Sequence, residues 1–415
     1  APDKWAAALD AIIEEQRQAI ASPIGSAELE RAKAQVLSQL QSAAEGAATR
    51  KNESLANSLV DAVNTDNLFT SPQQDLDLGK AIVSDLTPAA LSQALAKTFA
   101  GKGPVLFRSA QAGPIGVAAL EAQLAASYAK PVATRAAELA VSWPYDSFAQ
   151  PAQILSRKID QALGATIVTF SNGSRLAVKQ TTFEKDRVHV NVALGHGRAG
   201  ARKDLVHALW ATELLTAGGT GKLPQTDIQR WSQTGGKLVS AQVSAEPRAF
   251  ELKAVTRPAD LLSQMQLLAA YAVDPGFRAE LGDQLAAAGP MIAGQLNGIA
   301  AAVFEREAAR LFGGGDARFN AIPAAPDISA TKPQDLPALL KSELSGPADV
   351  TMVGDIDVET AIAVMRGTFA AGTPAPRPAS PSVALTMPEG RDEPYIVTHG
   401  GRSDQAFYAM FWSLP

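Results

Sequence analysis

Residues 209–244 read LWATELLTAGGTGKLPQTDIQRWSQTGGKLVSAQVS, and this stretch carries the reading of the fold. The run 203–216 reads as a helix. A second helix is expected over 226–234, ending at Gly235-Gly236, with a strand near 237–244. Glycine just past a helix end is the usual stop, because it takes the left-handed conformation at no steric cost. Upstream, ATIVTF (165–170) and RLAVKQ (175–180) flank Ser171-Asn172-Gly173, a good hairpin turn. VHVNVALGHG follows, with Val188, Val190 and Val192 alternating onto one face of a strand. Downstream, a strand at 249–255 is followed by Arg257-Pro258 and a helix over 259–272. A long helical stretch, 276–312, ends at Gly313-Gly314-Gly315. Pro333 opens a helix to about 344, DVTMVGDID (349–357) reads as a strand and turn, and a helix covers 358–370.

The flanks read differently. Helices are expected over 4–20 and from Ser26 to about Val63 with a break near Gly46. Thr87-Pro88 opens another, with Thr as N-cap and Pro at the first helical position; it ends at Gly101, and a short strand is expected at Pro104–Phe107. Residues 111–163 shift to Ala, Pro and Gln and read as a linker with one short helix near 115–128, anchored by Trp143-Pro144-Tyr145. Residues 373–392 are a Pro-rich linker. The last stretch, PYIVTHGG and then QAFYAMFW, reads as apolar strand. A weak internal repeat aligns 86–107 with 331–352, both as helix, glycine, strand.

The composition closes several doors. The chain has 415 residues, enough for two or three domains, and 46% are hydrophobic, so wholesale disorder is excluded. With no cysteine there is no disulfide framework, thiolate nucleophile or Cys-ligated metal. A net charge of −5 argues against nucleic acid as a partner. The N-terminal APDKWAAALD does not read as a signal peptide. The uncharged run 284–304 is long enough for a membrane span, but its Gln, Asn, Pro and Gly content reads as an Ala-rich buried helix, so no membrane span is expected. GGTGK at 218–222 lacks the preceding strand of a phosphate loop, and 313–315 follows a helix instead of opening one.

Four stretches, taken in order, resemble the insulinase/pitrilysin family of zinc peptidases, which includes the mitochondrial processing peptidase. FSNGSRLAV (170–178) is similar to the family's opening strand-turn-strand, and 209–244 to its metal-helix region with the trailing Gly-Thr, here Gly219-Thr220. VTMVGDIDVETAIAVMRGTF (350–369) resembles the strand-Gly-Asp-turn-helix, and SAELERAKAQVLSQL (26–40) the E-L-x-x-A-K helix late in a family domain. The resemblance implies an α+β fold, with a mixed or antiparallel sheet packed against helices, one complete domain and parts of two others. Residues 1–110 would be the later part of a second-domain-like unit, 164–372 a complete third-domain-like unit, and 393–415 the opening strand of a fourth.

Active members carry H-x-x-E-H on a helix, where two imidazoles at i and i+4 grip zinc and the Glu serves as general base. Aligned on Gly219-Thr220, this chain has Trp210, Glu213 and Leu214 at those three positions. The family's further Glu should fall in a later helix, yet 284–304 holds no carboxylate. The resemblance therefore implies no catalytic residue and no cofactor in this chain, with zinc confined to a catalytic domain outside it. Glu213 reads as a surface charge. Asp204 and His207 lie at i and i+3 and could face one ion, with no third ligand in sight; His207 and Glu213, six apart on an α-helix, could not share one. His189 reads as pointing to the polar side of its strand, and His196 and His399 as loop residues.

By resemblance, the expected role is a non-catalytic part of a peptidase that encloses a peptide or unfolded polypeptide. Its partner would be a catalytic domain or subunit of the same family. The alternative is an inactive scaffold or binding subunit, as the core subunits of some respiratory complexes resemble. Likeness to bacterial members points to the periplasm or cell envelope. A further expectation is that the C-terminal strand pairs with the N-terminal remnant, within one chain or across a homodimer.

Overall fold

The structure, a computed structural model, describes residues 4–101, 103–109, 113, 115–135, 141–373, 381, 388–390 and 393–412. The chain is α+β and divides into two units. One comprises Ala1–Ala44, Asp61–Ala140 and Gln233–Gly236; the other comprises Glu45–Val60, Val141–Ser232 and Lys237–Pro415.

The first unit is helical. Its helices include Trp5–Ala21, Pro72–Ser84, Pro88–Thr98 and Val117–Ala129, and most of Ser26–Glu45. Thr87 caps Pro88–Thr98 by accepting the Ala90 N–H, as expected from Thr-Pro. Ser71 caps Pro72–Ser84 in a full capping box with Gln74, a helix for which the sequence reading made no provision. The apolar interior is thin: Leu9, Ile13, Leu29, Leu76 and Val83 are its buried large residues. Polar contacts support it. Asp10 takes Lys130 at 2.7 Å and Ser127 at 2.6 Å, bonds that hold its carboxyl below the usual range.

The second unit is built on a seven-stranded sheet. Its strands are β1 (Ile154–Asp160), β2 (Ala165–Phe170), β3 (Arg175–Gln180), β4 (Val188–Leu194), β5 (Gln242–Ala245), β6 (Phe250–Thr256) and β7 (Asp349–Gly354), in the order β1-β2-β3-β7-β4-β6-β5. Every pairing is antiparallel except β3 with β7. β7 arrives from far down the chain and closes the middle of the sheet. The alternation seen in β4 extends across the sheet. Val168, Leu176, Val190, Leu252 and Met352 lie on one buried face. Leu209, Leu215, Trp231, Met265, Leu268 and Met365 from the helical segments join them in one core. The opposite face is polar and carries His189, Asn191, Arg175, Thr351 and Lys253.

The turn at 171–174 ties hairpin to helix end. Asn172 Nδ2 donates to Phe369 O at 2.8 Å and to Ala371 O at 3.2 Å, while Ser174 Oγ donates to Phe369 O at 3.1 Å and accepts the Ala348 N–H at 3.0 Å. Gly173 sits at φ +85°, which the turn requires.

Several expectations fail. Pro104–Phe107 is no strand: Val105 and Phe107 are almost wholly exposed, and no ladder partner lies beside them, so the proposed repeat loses its first half. Ile154–Asp160 lies inside the stretch read as linker but pairs with β2 as part of the sheet. The 276–312 stretch is two helices, Ala279–Gly298 and Ala300–Phe312, bent by 89° at Ile299. Most of 284–304 is exposed or half-exposed; its buried residues are Leu285, Gly289, Ala302 and Val303. No single described helix is long and apolar enough to cross a membrane. Residues 406–412 form no strand; Phe407 lies 4.4 Å from Phe304 and Phe411 5.1 Å from Phe312, ring centre to ring centre.

Candidate functional site

The region expected to carry the metal helix is helical, but not α. Lys203–Gly218 is a 3₁₀ segment of 16 residues, closed by Gly219 at φ +67°. Such runs rarely exceed about four residues, since side chains three apart eclipse and the hydrogen bonds are poorer. The sequence carries a matching period of three. Leu205, Ala208, Ala211, Leu214 and Ala217 form one column, and Val206, Leu209, Thr212, Leu215 and Gly218 a second. The third column is Asp204, His207, Trp210, Glu213 and Thr216, and it contributes none of the segment's buried residues. This threefold pattern is the signal that the sequence reading passed over.

Trp210 and Leu214 are both half-buried against the core. The Trp210 Nε1 donates to Thr331 Oγ1 at 2.8 Å, and that hydroxyl lies 2.9 Å from His207 O and 2.8 Å from Asp327 O. A Cβ added to Gly289 would stand 3.9 Å from the Trp210 ring and 3.1 Å from Ile328. The bare glycine thus gives clearance to Ile328, with the indole at ordinary van der Waals distance. Thr331 and Gly289 had no place in the sequence reading. Glu213 is exposed, and no described residue bonds to it. Thr212 is fully buried, and its hydroxyl has no partner among the described residues. An unmet buried hydroxyl costs about 1–3 kcal/mol, so the segment carries a local penalty.

The three aligned positions are not brought together. At three residues per turn, positions four apart differ by about 120° around the axis, against about 40° on an α-helix. Trp210 and Leu214 therefore diverge, while Glu213 eclipses Trp210. The expected Asp204–His207 pair also parts. Asp204 is held by Arg202 at 2.5 Å, and His207 Nε2 lies 3.1 Å from Asp335 Oδ2. His207 and Glu213 share a column, contrary to the α-helical expectation, but stand about 12 Å apart along the axis at about 2 Å per residue.

The other histidines are engaged locally. His196 lies against Glu343, which accepts its backbone N–H at 2.7 Å. His189 is exposed on the polar face, 2.5 Å from Glu184, and holds that carboxyl below its ordinary range. His399 accepts the Gly401 N–H at Nδ1, 3.1 Å away, so Nε2 carries the proton facing Gln405 O at 2.9 Å.

Around this segment the polar groups are spoken for. The carbonyls of Gly218 and Gly221 take the Arg278 guanidinium at 2.7 and 2.8 Å, and Thr220 O also accepts from it. The N–H groups of Thr220, Gly221 and Lys222 go to Leu223 O, Asp274 O and Tyr145 Oη. The GGTGK loop therefore gathers a cation on its carbonyls and offers no cradle for phosphate. Tyr145 donates to Asp274 at 2.7 Å, and Trp143 stacks on Trp231 at 4.0 Å, which anchors the 143–145 strap as expected. A cavity of about 80 Å³ adjoins, lined by Thr216, Gln225, Ser240 and Tyr271 among others. It has room for a few waters and no more. Burial pushes the Tyr271 hydroxyl up, so it stays a donor, here to Gln225 Oε1 at 2.7 Å.

Zinc does not fit these residues. Trp210, Glu213 and Leu214 supply one carboxylate and no imidazole, and Leu214 diverges from the other two around the coil. Among the described residues no group of three or more His, Asp or Glu side chains could hold a metal ion. A larger cavity of about 470 Å³ is lined by Glu45, Lys185, Asp186, Asp355, Asp357 and others. Its carboxylates are also engaged. Asp355 takes Lys185 at 2.8 Å, which holds its pKa down, and Asp357 caps the helix Val358–Arg366.

No family model matches the sequence, and no curated protein matches it. Among solved structures, the chain is similar to the ferredoxin protease FusC, solved in complex with Arabidopsis ferredoxin, with a TM-score of 0.49 and 14% identity over 93% of this chain and 43% of that one. It is similar to the periplasmic protease PqqL from Escherichia coli, with a TM-score of 0.47 and 16% identity over 91% of this chain and 42% of that one. It is also similar to a peptidase M16 inactive domain from Pseudomonas fluorescens, with a TM-score of 0.42 and 15% identity over 53% of this chain and 54% of that one. The chain thus spans less than half the length of FusC and PqqL. Each is a peptidase or a peptidase domain, and each likeness is one of chain trace; no residue role passes from them to this chain.

Proposed function

We propose that this chain is the non-catalytic, peptide-enclosing part of an insulinase/pitrilysin-type zinc endopeptidase, with the H-x-x-E-H domain lying outside it. The carrying observation is Trp210. Where the family alignment puts the first zinc-binding imidazole, this chain packs an indole against Gly289 and bonds it to Thr331. The four motifs in family order support the assignment, and so does a sheet with helices on one face and polar side chains on the other. Such a face suits a wet chamber wall. In this reading 1–110 belongs to the later part of one family domain, 164–372 to a second and 393–415 to the start of a third. The partner is the catalytic half, the ligand is an unfolded or short polypeptide, and the compartment is the periplasm or cell envelope.

Complementation tests the proposal. The chain is purified with and without the H-x-x-E-H half encoded upstream of it or in a neighbouring reading frame. Hydrolysis of a fluorogenic peptide should be absent with this chain alone and should rise well above the catalytic half's own rate on mixing. Equal rates with and without this chain would favour an inactive scaffold.

A further inference from the structure

β1 differs from the other strands of the sheet. It forms one outer edge, and five of its seven residues are exposed. Ile154, Leu155 and Ile159 are 44%, 65% and 66% exposed. An edge strand presents a row of unpaired N–H and C=O groups, a template for another strand. β5, the opposite edge, is only four residues long and buries Val243.

The charges on β1 restrict what can add to it. Arg157 is paired with Glu359 at 2.6 Å. Lys158 stands opposite Ile167 on the polar face of the sheet, is exposed, and has no ion-pair partner among the described residues. The nearby Asp160 carboxylate is turned to its own loop, where it accepts the N–H groups of Ala162 and Leu163 at 3.0 Å each. A second copy of β1 laid antiparallel about its central residue would set Arg157 directly against Arg157, and like charges directly opposite destabilise a strand pair. The bulge between Ile154 and Ser156 further disfavours a long self-paired edge.

We propose that β1 accepts an extended polypeptide segment by strand addition, with a carboxylate side chain opposite Lys158 and apolar side chains at the alternate positions beside Ile159. The main-chain ladder supplies affinity, and the carboxylate supplies register and preference. This assignment rests on the peptide-enclosing reading and names the element and the ligand chemistry within it.

The probe is the labelled peptide acetyl-VTVEVTV-amide, which puts its Glu opposite Lys158 in either strand direction. Its counterpart is acetyl-VTVKVTV-amide, and a third version is N-methylated at alternate residues. Binding is read by fluorescence anisotropy to the full chain. The wild type should prefer the Glu peptide by about fivefold to tenfold, as expected for exchanging one attractive cross-strand charge pair for a repulsive one. Lys158→Glu, an exposed substitution that keeps the fold, should invert the preference, and N-methylation should abolish binding to both proteins. Equal affinity for both peptides, undiminished binding after N-methylation, or no binding to either would overturn the assignment. Dimerisation of the chain that weakens when acetyl-VTVEVTV-amide is added would also overturn it, by making a second copy the occupant. Complementation with the catalytic half does not depend on Lys158, so the peptide-enclosing role can stand or fall separately.

Discussion

Trp210 does three things that a surface tryptophan would not. It bonds Thr331 through Nε1, lies within contact reach of Gly289, and packs over the core. Each contact has its own cost of removal. Trp210→Phe keeps most of the ring area and leaves the Thr331 hydroxyl without its donor, an expected loss of about 1 kcal/mol. Trp210→Ala opens a cavity as well. A fully buried Trp would lose about 3–5 kcal/mol on truncation, and half-burial brings the expectation to about 2–3. Urea unfolding monitored by circular dichroism measures both. An Ala variant as stable as the wild type would mean that the indole fills nothing.

At the scale of elements, the 3₁₀ winding of Lys203–Gly218 separates loss of ligands from loss of geometry. Installing Trp210→His and Leu214→His together writes the letters H-x-x-E-H around Glu213. On this coil the new imidazoles diverge by about 120°, so the double variant should bind zinc no more tightly than scattered surface histidines would. Isothermal titration with zinc chloride checks this, and a one-to-one site of high affinity would show the segment to be α-helical. Winding was the hardest feature to read from sequence. Helix start and stop signals are local, which is why Thr87-Pro88 and Gly313-Gly314-Gly315 mark real ends. The Asn172-Gly173 turn was legible for the same reason. Its bonds to Phe369 and Ala371 were not, because they join residues almost 200 apart. Strands depend on partners. β1 hid in an Ala/Pro-rich stretch because its pairing with β2 is tertiary, while Pro104–Phe107 had strand composition and no partner. Three-residue apolar spacing in 203–218 was visible, but it is close enough to the α period of about 3.6 to pass for it.

At the scale of the whole molecule, the helical unit has a thin apolar core and the sheet-based unit a dense one. The candidate site belongs wholly to the second unit, and every contact that defines it lies there. Its polar face and its exposed β1 edge also belong to that unit. The claim at the centre is that the chain has given up metal chemistry. Zinc content measured by elemental analysis on the purified full chain after exhaustive dialysis tests it most directly. The account predicts a substoichiometric trace, the same in the wild type and in Glu213→Ala; one tightly held zinc per chain, lost in Glu213→Ala, would contradict it.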